Sequence, residues 1–317
     1  MIDATPVAAR GLVKRYGDLV AVDGVDLTVE HGDVFGYLGP NGAGKTTSLR
    51  MFLGLIRPSG GSVHLFGRDP LIDGAKALHG VAGFVEGPCF YPYLSARRNL
   101  ELLADYDGNG ARARIDELLE LVELSDRAGD RVGGYSHGMR QRLGIAASLL
   151  RSPRLLLLDE PTTGLDPAGM RDMRALVKRL AGEGITVLLS SHLLSEVEEL
   201  CNRVAIIRKG RIVYQGPLSE LMATASTTYS LKVTDPERGL AICAAQPGIG
   251  SLHSLDGSLR FAGDESAVSA LSVALGEAGV GITALVPEKA TLEELFLDLT
   301  EGEHAPAEDE TLEEAVA

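Results

Sequence analysis

Positive charge is scarce in this chain: 30 Lys and Arg stand against 44 Asp and Glu, for a net charge of −14. Broad nucleic-acid binding needs basic surface to neutralise phosphates, so this balance argues against it. Cysteine is scarcer still. Cys89, Cys201 and Cys243 are odd in number and lack metal-ligand spacing, which fits a reducing cytosol, and they are expected to pack as small apolar residues. No stretch approaches the roughly 18 consecutive apolar residues that a membrane-spanning helix needs. The start, "MIDATPVAAR", has no basic residues followed by an apolar stretch, so no secretory leader is expected. Internal repeats and coiled-coil heptads are missing as well.

What remains is an ordinary folded composition, 45% apolar and 23% charged over 317 residues, enough for one large domain and a smaller one. Much of the charge sits at the end. After Thr300 come Glu301, Glu303, Glu308, Asp309, Glu310, Glu313 and Glu314 without a single Lys or Arg. Residues 301–317 therefore read as an acidic, disordered solvating tail.

Residues 7–38 read as strands. "VAARGLVKRYG" and "LVAVDGVDLTVE" have alternating apolar positions, and "GDVFGYLG" is a short buried run. A helix is expected from Lys45 to about Leu55, ended by Arg57-Pro58. Strands "GGSVHLFG" and "VAGFV" follow, then a helical pattern over residues 95–150. Next come strand "RLLLLDEP", helix 168–181, strand "GITVLLSSH", helix 193–201 and a hairpin turned at Lys209-Gly210. This order describes a mostly parallel α/β core preceded by an antiparallel layer, with an all-helical insertion. The Ala/Ser/Thr-rich "MATASTT" marks a boundary near residue 223. Residues 224–300 then alternate as a small α+β domain of ferredoxin-like order.

"GPNGAGKTT" runs through Gly39, Pro40, Asn41, Gly42, Ala43, Gly44, Lys45, Thr46 and Thr47, between a predicted strand and a predicted helix. It fits the phosphate-loop pattern G-x-x-x-x-G-K-[ST]. Its glycines let the backbone curl so that successive N–H groups face phosphate oxygens, and the helix start adds its positive end. Lys45 supplies a cation for the β- and γ-phosphates, and the Thr46 hydroxyl is placed for Mg²⁺. In "RLLLLDEP", Asp159 at the strand end can hold the Mg²⁺ shell, and Glu160 can take a proton from the attacking water. His192, at the end of "ITVLLSSH", lies on another strand end and is a candidate donor to the γ-phosphate.

With "YSHGMRQRLGIAASLL" (residues 135–150) the chain resembles the ATP-binding subunits of ABC transporters, whose signature reads L-S-G-G-Q. "KRYG", "GPNGAGKTT", "LLLLDEPTTGLDP" and "SSH" extend the resemblance over residues 7–223 in the expected order. It implies a P-loop ABC ATPase core at residues 1–223, with the helical subdomain at about 95–150. It also implies ATP and Mg²⁺ as ligands, and a dimer that closes on two ATP molecules. Tyr16 would stack on adenine, Ser136 and Gly138 would meet the γ-phosphate held by the other subunit, and Asp166 would cross the dimer interface. The signature departs from the family at Tyr135, His137 and Met139. A homodimer is expected, with pairing to a related ATPase left open. The transmembrane permease would be a separate polypeptide, which places the chain on the cytoplasmic face of the membrane.

The C-terminal "PEKATLEELFLDLT" resembles the daunorubicin- and bacitracin-resistance ATPases, which favours export of a drug, antibiotic or peptide. Rival readings are a soluble ABC ATPase of translation or repair and a phosphate-loop kinase or GTPase. The first usually brings paired ATPase domains, long coiled coils or zinc motifs, and the second leaves the signature helix unexplained. Glu86, in "GFVEGPCFYP", stands where most family members carry a glutamine that reaches Mg²⁺ and the attacking water. A glutamate there resembles the bacitracin- and lantibiotic-exporter branch. Its place after an apolar run makes burial costly: with nucleotide bound a metal would offset the desolvation, and without nucleotide the group is expected to shift its pKa or turn towards solvent.

Overall fold

Four consecutive leucines at residues 155–158 leave no polar face, so they form a strand only where both faces are covered. The computed structural model, which describes residues 4–107, 110–223, 228–255, 258–288 and 291–301, places them on an interior strand of a six-stranded sheet, with a neighbour on each side. The chain divides into two compact units, Met1–Leu218 and Ser219–Ala317.

The first unit runs β1 (Val7–Tyr16), β2 (Leu19–Val29), β3 (Val34–Leu38), α1 (Lys45–Phe52), β4 (Gly60–Leu65) and β5 (Val81–Phe84). Helices α2 (Ala96–Asp107), α3 (Ile115–Leu121) and α4 (His137–Leu149) follow without an intervening strand. The unit then continues through β6 (Leu155–Asp159), α5 (Pro167–Gly182), β7 (Thr186–Ser191), α6 (Leu194–Leu200), β8 (Arg203–Arg208) and β9 (Arg211–Pro217). Helix α7 (Leu218–Ala223) begins at the division.

The main sheet has the order β5-β6-β7-β3-β8-β9, parallel throughout except for the β8–β9 hairpin. Every residue of β3, β6 and β7 is buried. A separate antiparallel sheet, β2-β1-β4, closes over α1, and one core joins both layers: Leu12, Val22 and Leu65 pack with Phe35, Phe52 and Leu157.

Helix α1 stops at Phe52 rather than near Leu55. Its last carbonyls are taken by the Leu53 and Gly54 amides, and Gly54 adopts φ +68, the left-handed stop that precedes Pro58. Cys201 and Cys243 are buried as expected, but Cys89 is exposed, because it falls in the loop after β5.

The second unit is β10 (Thr228–Val233), α8 (Pro236–Ala245), β11 (Gly250–Leu255), β12 (Ser258–Ala262), α9 (Glu265–Glu277), β13 (Ile282–Glu288) and α10 (Leu292–Glu301). Its antiparallel sheet has the order β11-β12-β10-β13, the ferredoxin-like arrangement. Leu231, Leu259 and Phe261 pack against Val268, Leu271 and Leu275 of α9. Asp235 and Asp264 cap α8 and α9 by accepting from the Arg238 and Ala267 amides. The expected boundary stretch 224–227 and the acidic tail from residue 302 lie outside the described residues.

Helix α4 approaches the segment after β5 very closely. A Cβ on Gly144 would stand 2.6 Å from Pro88 Cβ and Cγ and 3.1 Å from Phe84 Cε1. Alanine is the better helix former by about 1 kcal/mol, whereas overpacking costs about 1–3 kcal/mol. Gly144→Ala should therefore lose stability, read as a fall in Tm of about 2–4 °C per kcal/mol. A raised Tm would show that the contact yields freely.

Candidate functional site

The strand order β5-β6-β7-β3 lines up four carboxyl ends: Glu86 beyond β5, Asp159 and Glu160 at the end of β6, His192 beyond β7, and the phosphate loop beyond β3. Ligand sites of open α/β sheets lie along this edge.

The phosphate loop is held from both sides. The Gly210 amide, in the β8–β9 turn, donates to Ala43 O at 3.0 Å, and Gly44 caps α1 at φ +108. A Cβ on Gly44 would meet Ala21 O at 2.5 Å, so dihedral and space both demand glycine there. Lys45 is only 5% exposed and donates to Gly39 O (2.7 Å) and Pro40 O (3.3 Å). Tyr16, Asn41, Gly42, Lys45, Thr47 and Glu160 line a groove of about 280 Å³.

Asp159 collects donors from three elements. Its Oδ2 accepts from Thr46 Oγ1 of α1 (3.0 Å) and from the Glu86 amide (3.3 Å), and its Oδ1 accepts from Ser190 Oγ of β7 (2.6 Å). Ser190 Oγ in turn accepts from the Glu160 amide at 3.0 Å. Glu160 adopts φ +46 and turns its carboxylate among three partners: Thr163 Oγ1 at 2.9 Å, His192 Nδ1 at 3.1 Å and Lys45 Nζ at 3.5 Å. Partial burial pushes its carboxyl up, but the Thr163 hydroxyl and the Lys45 and His192 charges outweigh that and hold it below the usual carboxylate range.

Thr46 and Asp159 offer the hard oxygen donors that Mg²⁺ takes, on adjacent elements. Among the described residues no group of three or more His, Cys, Asp or Glu stands ready as a cage. That donor set fits a cation that keeps waters and takes its remaining ligands from bound phosphates.

The structure thus brings together the phosphate loop, Tyr16, Asp159, Glu160 and His192. Ser136, Gly138 and Asp166 do not line this groove. Ser136 caps α4 by accepting from the Met139 amide (3.2 Å), and Asp166 caps α5 by accepting from the Gly169 amide (2.8 Å). The two caps are neighbours, for Leu165 Cδ2 lies 3.3 Å from where a Cβ on Gly138 would stand.

Glu86 is turned towards solvent, the outward alternative expected without nucleotide, rather than buried. Strand β5 ends at Phe84, so Glu86 falls past the covered part of the sheet, adopts φ +65 and is 63% exposed. Its carboxylate is ion-paired with Arg50 of α1, and its amide, not its side chain, reaches Asp159.

Sequence reasoning missed Ser190, Thr163 and Arg50. For Ser190 a signal existed, since "SSH" puts two hydroxyls at the end of an otherwise apolar strand. Ser190→Ala would deprive buried Asp159 of a donor and the Glu160 amide of an acceptor. The expected loss is about 1–3 kcal/mol, measured by chemical unfolding; unchanged stability would show that the hydroxyl is dispensable there.

Comparison with known proteins agrees with this geometry. Residues 22–163 match the family model described as "ABC transporter". The bacitracin transport ATP-binding protein BcrA of Bacillus licheniformis is 37% identical over 94% of this chain and 98% of its own length. The daunorubicin resistance ATP-binding protein DrrA3 of Streptomyces coeruleorubidus is 39% identical over 93% of this chain and 96% of its own. A solved structure, cbiO1 from Clostridium perfringens, part of the ABC transporter complex cbiONQ, aligns with a TM-score of 0.64 at 26% identity, covering 70% of this chain and 92% of that one. A phosphate loop, an acidic strand end and a signature helix in this order, with relatives matched along nearly the whole chain, mean that the chain belongs to the ABC transporter family as one of its ATP-binding, ATP-hydrolysing subunits.

Proposed function

We propose that this chain powers the export of a drug- or antibiotic-like molecule through a separate membrane permease, working as a dimer on the cytoplasmic face of the membrane. One observation carries the reading: the relatives named for bacitracin transport and daunorubicin resistance match nearly the full chain, the C-terminal unit included. Among the described residues no helix is long and apolar enough to cross a membrane, so a second polypeptide would supply the path.

The chemistry follows from the groove. Tyr16 would stack on adenine, the amides of residues 39–47 would take the phosphates, and Thr46 and Asp159 would hold Mg²⁺, which neutralises phosphate charge when bound. Lys45 is shared in this structure between the loop carbonyls and Glu160. A γ-phosphate would compete for Lys45, raise the proton affinity of Glu160 and prepare it to take the proton of the attacking water. With Nδ1 of His192 directed at Glu160, its other ring nitrogen would meet the phosphate.

Ser136, Gly138 and Asp166 gather outside the groove of their own chain, which suits contact with nucleotide held by a second copy. ATP then favours the closed dimer because it touches both subunits there and only one when the dimer is open. Glu86 would leave Arg50 for the metal-facing side as the dimer closes, relaying the change to the permease.

The test is reconstitution of the chain with the membrane protein that co-purifies with it, followed by ATPase and transport assays against peptide and anthracycline antibiotics. Substrate-stimulated hydrolysis supports the reading, and a chain that purifies with ribosomes and never with a membrane protein overturns it. In that system Glu160→Gln should keep ATP binding, lower kcat by roughly 100-fold or more and accumulate closed dimer on size exclusion. Glu86→Gln should keep much of the hydrolysis while transport falls; full transport would remove the carboxylate from the relay.

A further inference from the structure

Tyr16 is the last residue of β1 and is 46% exposed; it pairs across the hairpin with Leu19, itself 65% exposed. Both side chains line the groove beside Ala21. Lys14 does not line it, yet its Nζ lies over the Tyr16 ring, 5.0 Å from the centroid, and donates to Arg57 O at 2.7 Å. Residues two apart on a strand leave it on the same side, which is why Lys14 and Tyr16 meet. The segment that carries Arg57 is itself bound to β1. The Ser59 amide donates to Val13 O at 2.7 Å, and the Arg15 amide donates to Ser59 Oγ at 3.0 Å.

We propose that Lys14 is a positioning residue for the nucleobase: its ammonium, anchored on the Arg57 carbonyl, occupies one face of the Tyr16 ring and holds the other face ready for adenine. The inference rests on the stacking role proposed above for Tyr16.

The backbone around this platform is already fixed. In the β1–β2 pairing Lys14 faces Val22 and Arg15 faces Val20, so Ala21 is an extra residue on β2. Such a bulge bends its strand. Here it seats Ala21 against the phosphate loop, where the Ala21 carbonyl leaves no room for a Cβ on Gly44. The distance from the hairpin to the phosphates is therefore set by main chain. What stays adjustable is the Tyr16 ring, a half-exposed side chain at a strand end. A ring that must be ordered when the base arrives takes that cost out of binding. An ammonium over a ring face is attracted to it, and this one is tethered, so ring and cation order each other before nucleotide enters. The occupied face is closed to a base, and a single face remains for stacking.

The test uses the full chain and two ligands, each with Mg²⁺: ATP, and inorganic tripolyphosphate, which carries three phosphates and no base. Dissociation constants are measured by calorimetry. Lys14→Met, which keeps the stem and removes the charge, should weaken ATP binding about threefold, the size of an exposed cation–ring contact. Tripolyphosphate should bind this variant as it binds the wild type. In a Tyr16→Leu background, Lys14→Met should cost ATP nothing further. Three results overturn the proposal: wild-type ATP affinity in Lys14→Met, an equal loss for ATP and tripolyphosphate, or an undiminished loss when Tyr16 is already gone. Tyr16→Leu alone separates the two readings. If it binds ATP as the wild type does, the stacking platform fails and Lys14 has nothing to position. If it weakens ATP binding while Lys14→Met does not, the platform stands and the proposal for Lys14 alone is overturned.

Discussion

The arrangement of this site depends on the Asp159 carboxylate. It is 5% exposed and carries a charge that water no longer solvates, so its donors must come from the protein. They come from α1 through Thr46, from β7 through Ser190 and from the turn after β5 through the Glu86 amide. One buried charge thereby sets the spacing of three elements that are far apart in the chain. The leucines of β6 make this possible, because a strand buried on both faces can deliver a side chain to the sheet edge without a solvated neighbour.

Around that anchor the charges are balanced but not locked. Lys45 divides its ammonium between two carbonyls and Glu160, and Glu160 divides its carboxylate among Lys45, Thr163 and His192. Each contact is one that a phosphate or a water can replace. The bond from Ser190 to Asp159 lies deeper, between two buried side chains. The site therefore separates into a layer that exchanges partners and a layer beneath it that holds position.

The sequence made legible whatever depended on local spacing. The phosphate loop, the DE pair, the signature helix and the βαββαβ order of the second unit are patterns of neighbours, and the structure has them. What stayed hidden depended on where an element stops or on pairs distant in sequence. Arg57-Pro58 seemed to end α1, but Gly54 acts earlier because a left-handed residue caps the helix before the proline is reached. Glu86 looked buried because an apolar run does not reveal that the sheet's cover ends at Phe84. Ser190 and Asp159 lie 31 residues apart, and only the parallel pairing of β6 with β7 brings them together.

The absent side chain at Gly144 has a mechanical consequence. With Pro88 lying directly against the α4 backbone, no flexible group sits between the signature helix and the turn that carries Glu86. A displacement at that turn of even a fraction of an ångström meets main chain rather than a yielding rotamer. A missing side chain thus makes the joint between this helix and that turn stiffer, not looser.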